Sequence, residues 1–198
     1  MTDQDREQPD LEAHGGPWVA GGPTPGPVVL AEPDPRWATS GAGLAAIVHE
    51  ALGEAVLDLQ HVGSTSVPGL LAKPVIDLVL TVAHPADEQA WLPVLVDSGW
   101  VLTVREPDWF EHRCLRFAAP AANLHVFGPG CSETAVMLAF RDWLRSSEGD
   151  RELYASAKRT AADATNAVGG HVMDYNARKE PVLLQIRERA LVAAGLTS

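Results

Sequence analysis

The chain has 198 residues, 46% of them hydrophobic, and a formal charge of −11. That supplies enough apolar material for one core, and the acidic balance argues against a general nucleic-acid binder, which needs a basic face. No stretch approaches the roughly 18 consecutive apolar residues of a membrane span, and the N-terminus lacks a basic-then-apolar secretory signal, so a cytoplasmic location is expected.

Residues 1–27 are rich in Pro, Gly, Asp and Glu, with Gly15-Gly16-Pro17, Gly21-Gly22-Pro23 and Pro25-Gly26-Pro27 as serial breakers. They read as a disordered arm before one domain over 28–198. Val28-Val29-Leu30 is a short edge strand or an extended lead-in. Pro33-Asp34-Pro35-Arg36-Trp37 opens a helix over 36–51, with Leu44, Ile47, Val48 and Leu52 at helical spacing. Strands are predicted over 56–62 and 74–82, the second so continuously apolar that it belongs at the centre of a sheet. One helical turn is placed at 67–72, between them.

A helix over 86–97 ends at Ser98-Gly99 and is followed by strands over 100–105, 110–118 and 124–127. Ser132 is a candidate N-cap, with Glu133 in the first turn, for a helix over 133–145. The next helix covers 150–167 and is interrupted by Gly169-Gly170. The last helical region runs to 194, with a break expected at Pro181, which has no N–H to donate. This order gives an α/β (α+β) fold, a mixed sheet flanked by helices with a helical C-terminal part. Cys114 and Cys131 are the only cysteines and are expected to stay reduced. No Cys/His spacing suggests zinc.

The chemistry concentrates in His61-Val62-Gly63-Ser64-Thr65-Ser66-Val67-Pro68-Gly69 and Lys73-Pro74-Val75-Ile76-Asp77-Leu78-Val79. Gly63 lets backbone approach a ligand, and Ser64, Thr65 and Ser66 offer hydroxyls beside amide N–H groups, an arrangement that suits phosphate. Asp77 lies among apolar neighbours, where a carboxylate is expensive unless paired; Lys73 and His61 are the nearby partners in sequence. Lys73 meets either a phosphate or solvent. His61 either braces the loop or does chemistry. Arg141 and Arg145 fall one turn apart, as do Tyr175 and Lys179. The first pair receives an anion or forms surface ion pairs; Lys179 contacts a phosphate or carboxylate if its turn faces the cleft.

These blocks resemble the GrpB family, within the nucleotidyltransferase superfamily. The likeness continues at Asp34-Pro35-Arg36-Trp37, at Phe140-Arg141-Asp142-Trp143-Leu144-Arg145, at Tyr154 with Lys158 and at Tyr175 with Lys179, so it covers 28–194. The resemblance implies a nucleotidyltransferase-like mixed sheet and action on a nucleotide or phosphorylated small molecule. It places Gly63-Ser64 at the superfamily's Gly-Ser turn and Asp77 at its first acid. Val79 stands where the second acid belongs, and one carboxylate is a poor holder of two metal ions.

His125 lies near the order of the third acid, with Glu111 and His112 as further contributors. A divalent metal, Mg or Mn, on Asp77 with His125 is one expectation; His125 as a base oriented by Asp77 is another. Two other roles are a non-catalytic nucleotide or anion-binding module, since family members occur fused to dephospho-CoA kinase, and metal-independent acid/base chemistry by His61, His125 and Asp77.

Overall fold

A computed structural model of the chain describes residues 17–23 and 26–196. Five strands, β1 (Asp58–Val62), β2 (Ile76–Thr81), β3 (Val101–Glu106), β4 (His112–Phe117) and β5 (Ala122–Phe127), form one sheet in the order β1-β2-β5-β4-β3. Only β2 and β5 run parallel; the other neighbours are antiparallel. The apolar run on β2 therefore occupies an interior strand, as expected of a strand buried on both faces.

Side chains alternate across a strand, and this gives the sheet two chemically different faces. One carries Ile76, Leu78, Leu80, Ala122, Leu124, Val126 and Leu115. Helix α1 (Arg36–Leu52) covers it with Leu44, Val48 and Leu52, and α2 (Glu88–Asp97) with Trp91 and Leu95. Each of these large side chains contributes about 1.5–3 kcal/mol by leaving water. The opposite face carries Asp77 beside Asn123, Val79 beside His125, and Cys114 and Arg116 from β4. Part of it is apolar: α3 (Ser132–Ser146) sets Met137 and Leu138 on Val62, Val79 and Phe127. Helices α4 (Glu148–Ala167) and α5 (Val172–Ala193) join α3 around Val67, Leu70, Tyr154 and Ile186, clamping the signature loop. Among the described residues no helix is long and apolar enough to cross a membrane.

Four local expectations are corrected. Helix α5 runs unbroken through Pro181. The lost hydrogen bond is offset by packing on both sides of it, through Tyr175 before and Ile186 and Ala190 after. The helical turn between β1 and β2 is a 3-10 turn at Ser64–Ser66, earlier than 67–72, because Gly63 at φ 68° reverses the chain at once. The Ser66 hydroxyl then closes the turn on the Gly63 carbonyl at 2.6 Å. Ser132 is the first residue of α3 and not its cap, which is Cys131, with no side-chain bond. The strand predicted from residue 56 starts at Asp58, because α1 passes into a 3-10 turn at Gly53–Ala55.

Of the expected disordered arm over 1–27, residues 1–16, 24 and 25 lie outside the described residues. Trp18 forms a bridge to Val104 on the edge strand β3, with Val19 N–H donating to Thr103 O and Arg105 N–H to Pro17 O, both at 2.9 Å. Cys114 and Cys131 are both free thiols.

Candidate functional site

Between the polar face of the sheet and helices α3, α4 and α5 lies a cleft of about 490 Å³. Its floor is Asp77, the second residue of β2, whose Oδ1 accepts from Asn123 Nδ2 at 2.8 Å. Parallel pairing of β2 with β5 puts these two residues side by side. Gly63 forms the adjacent wall: a Cβ there would sit 2.5 Å from Asp77 Oδ2, and φ 68° disfavours any other residue. The glycine is thus required twice, for the turn and for the close approach to the acid.

Lys73, Lys158, Lys179 and Arg116 also line the cleft. Lys158, on α4, is only 2% exposed and donates to Leu71 O at 3.0 Å and to the Ser64 hydroxyl. Two buried tyrosine rings lie under the ammonium groups: Lys158 is 4.4 Å from the Tyr154 centroid, and Lys179 and Lys73 are 5.4 and 5.7 Å from that of Tyr175. An electron-rich ring face partly compensates a cation that has lost water.

The result is four basic side chains facing one acidic one in a protein of net charge −11. Burial, then the charge of Lys179, holds Lys158 well below the usual lysine range. Burial, then Lys73, brings Lys179 down to about 8, and burial lowers Lys73 as well. Burial raises the Asp77 pKa, against the Asn123 hydrogen bond and the three lysines. An incoming phosphate would relieve the lysine repulsion directly.

The predicted site residues divide. Asp77, Gly63, Ser64, Lys73, Tyr175 and Lys179 meet in this cleft. His61, Thr65 and Ser66 face the opposite side of the turn. His61 Nε2–H donates to Thr65 Oγ1 at 3.0 Å, because the Thr65 hydroxyl itself donates to Val75 O at 3.1 Å. Burial, then Arg145 and Arg141, lowers the His61 pKa to about 4, so the ring is a neutral brace. Arg141 donates to Asp142, Gln60 and His61 O, tying α3 to β1 outside the cleft.

His125 shares a 3.0 Å hydrogen bond with His112, whose Nδ1 is 2.7 Å from Glu106 Oε2. Burial lowers the His125 pKa to about 3. It lies opposite Val79, one step beyond Asp77, and the two do not form a pair. Glu111 is exposed in the preceding turn. Among the described residues no group of three or more His, Cys, Asp or Glu could hold a metal ion. Asp77, a single carboxyl already bonded to Asn123 and surrounded by three lysines, offers a donor set that does not fit a divalent metal.

Sequence reasoning misses Lys158, Asn123, Arg116 and Trp18 as site residues. The one-turn spacing of Tyr154 and Lys158 was a usable signal for the first. Asn123 and Arg116 are revealed only by register. Trp18 and Pro23 line the cleft, Trp18 with its ring centroid 4.9 Å from the Arg116 guanidinium, whose Nη1 donates to Gly22 O at 3.1 Å.

A mixed five-stranded sheet with a Gly-Ser turn leading to an acid on an interior parallel strand is an α/β fold consistent with a nucleotidyltransferase-like architecture. Residues 27–189 match the family described as GrpB protein, and the chain belongs to that family. It is similar to a UPF0157 protein of Halalkalibacterium halodurans, 44% identical over 163 residues, with 82% of each chain covered. A UPF0157 protein of Streptomyces coelicolor is 37% identical over 172 residues, covering 87% of this chain and 89% of that one. Dephospho-CoA kinase of Mycolicibacterium paratuberculosis is 29% identical over 190 residues, and the match covers 83% of this chain but 46% of the kinase. The crystal structure of conserved protein GrpB from Enterococcus faecalis superposes with a TM-score of 0.74 at 25% identity, covering 84% of this chain and 99% of that one.

Proposed function

We propose that the chain binds a nucleotide or another phosphorylated small molecule in the Asp77 cleft and acts on it as a nucleotidyltransferase-like transferase. The observation that carries this reading is the convergence of Lys73, Lys158, Lys179 and Arg116 on a single carboxylate. Phosphate oxygens lie against the lysines, which supply the positive charge that metal ions provide at multi-acid sites. Asp77, its pKa raised by burial, accepts the proton of an attacking hydroxyl. The hydroxyl oxygen bonds the α-phosphorus of a nucleoside triphosphate, while the α–β anhydride bond breaks and pyrophosphate leaves against the lysines. No step is assigned to a metal.

A second reading, binding without turnover, is favoured by one specific observation: Val79 occupies the position of the second acid and is buried under α3. The kinase relatives, which extend well beyond the matched region, are compatible with an accessory role of this kind.

Phosphorus NMR of ATP incubated with the protein and a panel of hydroxyl acceptors tests the transfer. The transferase reading expects new phosphorus resonances with the wild type and none with Asp77→Asn, which retains ATP affinity. ATP that binds but stays intact selects the second reading. ATP and pyrophosphate that both fail to bind refute the two together.

A further inference from the structure

The signature loop has two sides, and the cleft at Asp77 uses only one. His61, Thr65, Ser66, Val67, Pro68 and Gly69 line a second cleft, of about 870 Å³, on the α1 side of the turn. From this geometry we propose that the second cleft is a separate small-molecule site for a planar, largely apolar anion that also carries an N–H or O–H donor. The proposal stands independently of the phosphate reading.

Three features define that ligand. The first is charge. Arg145 and Arg151 border the cleft. Arg151 Nη1 donates to Leu144 O and Arg145 O, at 2.9 and 3.3 Å; among the described residues it has no carboxylate within ion-pair distance, and its Nε and Nη2 are uncommitted. Arg145 spends Nε and Nη2 on Ser66 O and reaches Asp142 only at 3.4 Å. The one acid lining the cleft, Asp34, is already held by Arg36 at 2.6 Å. A guanidinium with free N–H groups and no counter-charge selects an anion.

The second feature is an acceptor. The Thr65 bond fixes the His61 proton on Nε2, which leaves Nδ1 with a lone pair. That nitrogen faces Gly41 of α1, where an added Cβ would lie 2.7 Å away. The missing Cβ lets α1 pack against the ring. Nδ1 has no partner among the described residues and is not sealed from solvent. His61 lines the cleft, so a donor atom of a ligand can reach Nδ1 from the cleft side. Thirdly, the remaining walls are Trp37, Ala42, Ala45, Val67, Pro68 and Leu78, an apolar lining with one aromatic face that suits a flat body.

Indole-3-carboxylate has all three features and serves as the probe. Its controls are indole-3-carboxamide, which lacks the charge, and 1-methylindole-3-carboxylate, which lacks the donor. Calorimetric titration of the full chain is expected to give saturable one-to-one binding of indole-3-carboxylate, with both controls about tenfold weaker or worse. Arg151→Gln is expected to weaken the probe about tenfold, and Ala42→Phe, on the exposed rim, to abolish its binding by filling the space. Neither change should alter pyrophosphate affinity if the Asp77 cleft takes phosphate. No saturation at low-millimolar probe would overturn the proposal, as would unchanged affinity in folded Arg151→Gln. Equal affinity for the carboxylate and the carboxamide would overturn it too.

Discussion

Single residues show how tightly the site is built. Gly63 carries a left-handed backbone and stands against Asp77, so Gly63→Ala meets strain and a clash together. The substitution should cost about 2 kcal/mol or more in urea unfolding; a wild-type midpoint would show that the turn relaxes freely. His61 and His125 are folded as neutral rings, with pKa values near 4 and 3 against an ordinary 6.5. Below pH 6.5 the unfolded chain binds protons that the folded chain refuses, so the stability from these two groups is complete above 6.5 and is lost as pH falls toward 4 and 3. Melting temperature followed from pH 7 to 4 should fall, and His61→Gln should flatten the fall; an unchanged slope in that variant would assign the acid sensitivity elsewhere. The bond network of Thr65 explains why His61 braces the turn and does not reach the cleft. Its sequence neighbours alone left the two roles open.

At the scale of elements, α2 is tied to the sheet by Glu88, which accepts from Arg105 at 2.6 and 2.7 Å and from Arg113 at 2.6 Å. Arg105, then Arg113, holds the Glu88 pKa at about 2 despite the opposing effect of burial. Glu88→Ala strands the buried Arg113 guanidinium and should destabilise the fold by about 3 kcal/mol. Denaturant unfolding of that variant measures it, and a loss under half a kilocalorie would mean that the carbonyls of Glu111 and His112 satisfy Arg113 alone. Most elements were legible in the sequence, because apolar spacing and Gly/Pro punctuation are local signals: α1 and β2 fall within two residues of expectation. The continuity of α5 through Pro181 was not legible. A local rule predicts the break, whereas the packing that overrides it comes from α3 and α4.

The whole molecule places one cationic cleft inside an acidic chain. Half of that site could be read from the loop and β2, since Gly63, Ser64, Lys73 and Asp77 are close in sequence. The rest could not, because Asn123 arrives through strand register, Lys158 through the docking of α4, and Trp18 from a segment outside the matched family residues. The same three-dimensional view removes His125 from the Asp77 site and gives it to His112 and Glu106. What remains at Asp77 is a cleft lined by Lys73, Lys158, Lys179 and Arg116, the proposed anion cradle. The most direct test is calorimetric titration of the full chain with pyrophosphate in the presence of EDTA, repeated with Lys158→Met. Metal-free one-to-one binding is predicted for the wild type, weakened in the variant by about 1.5–3 kcal/mol, roughly 10- to 150-fold. Binding that appears only when Mg²⁺ or Mn²⁺ is added, or that survives intact in folded Lys158→Met, would contradict it.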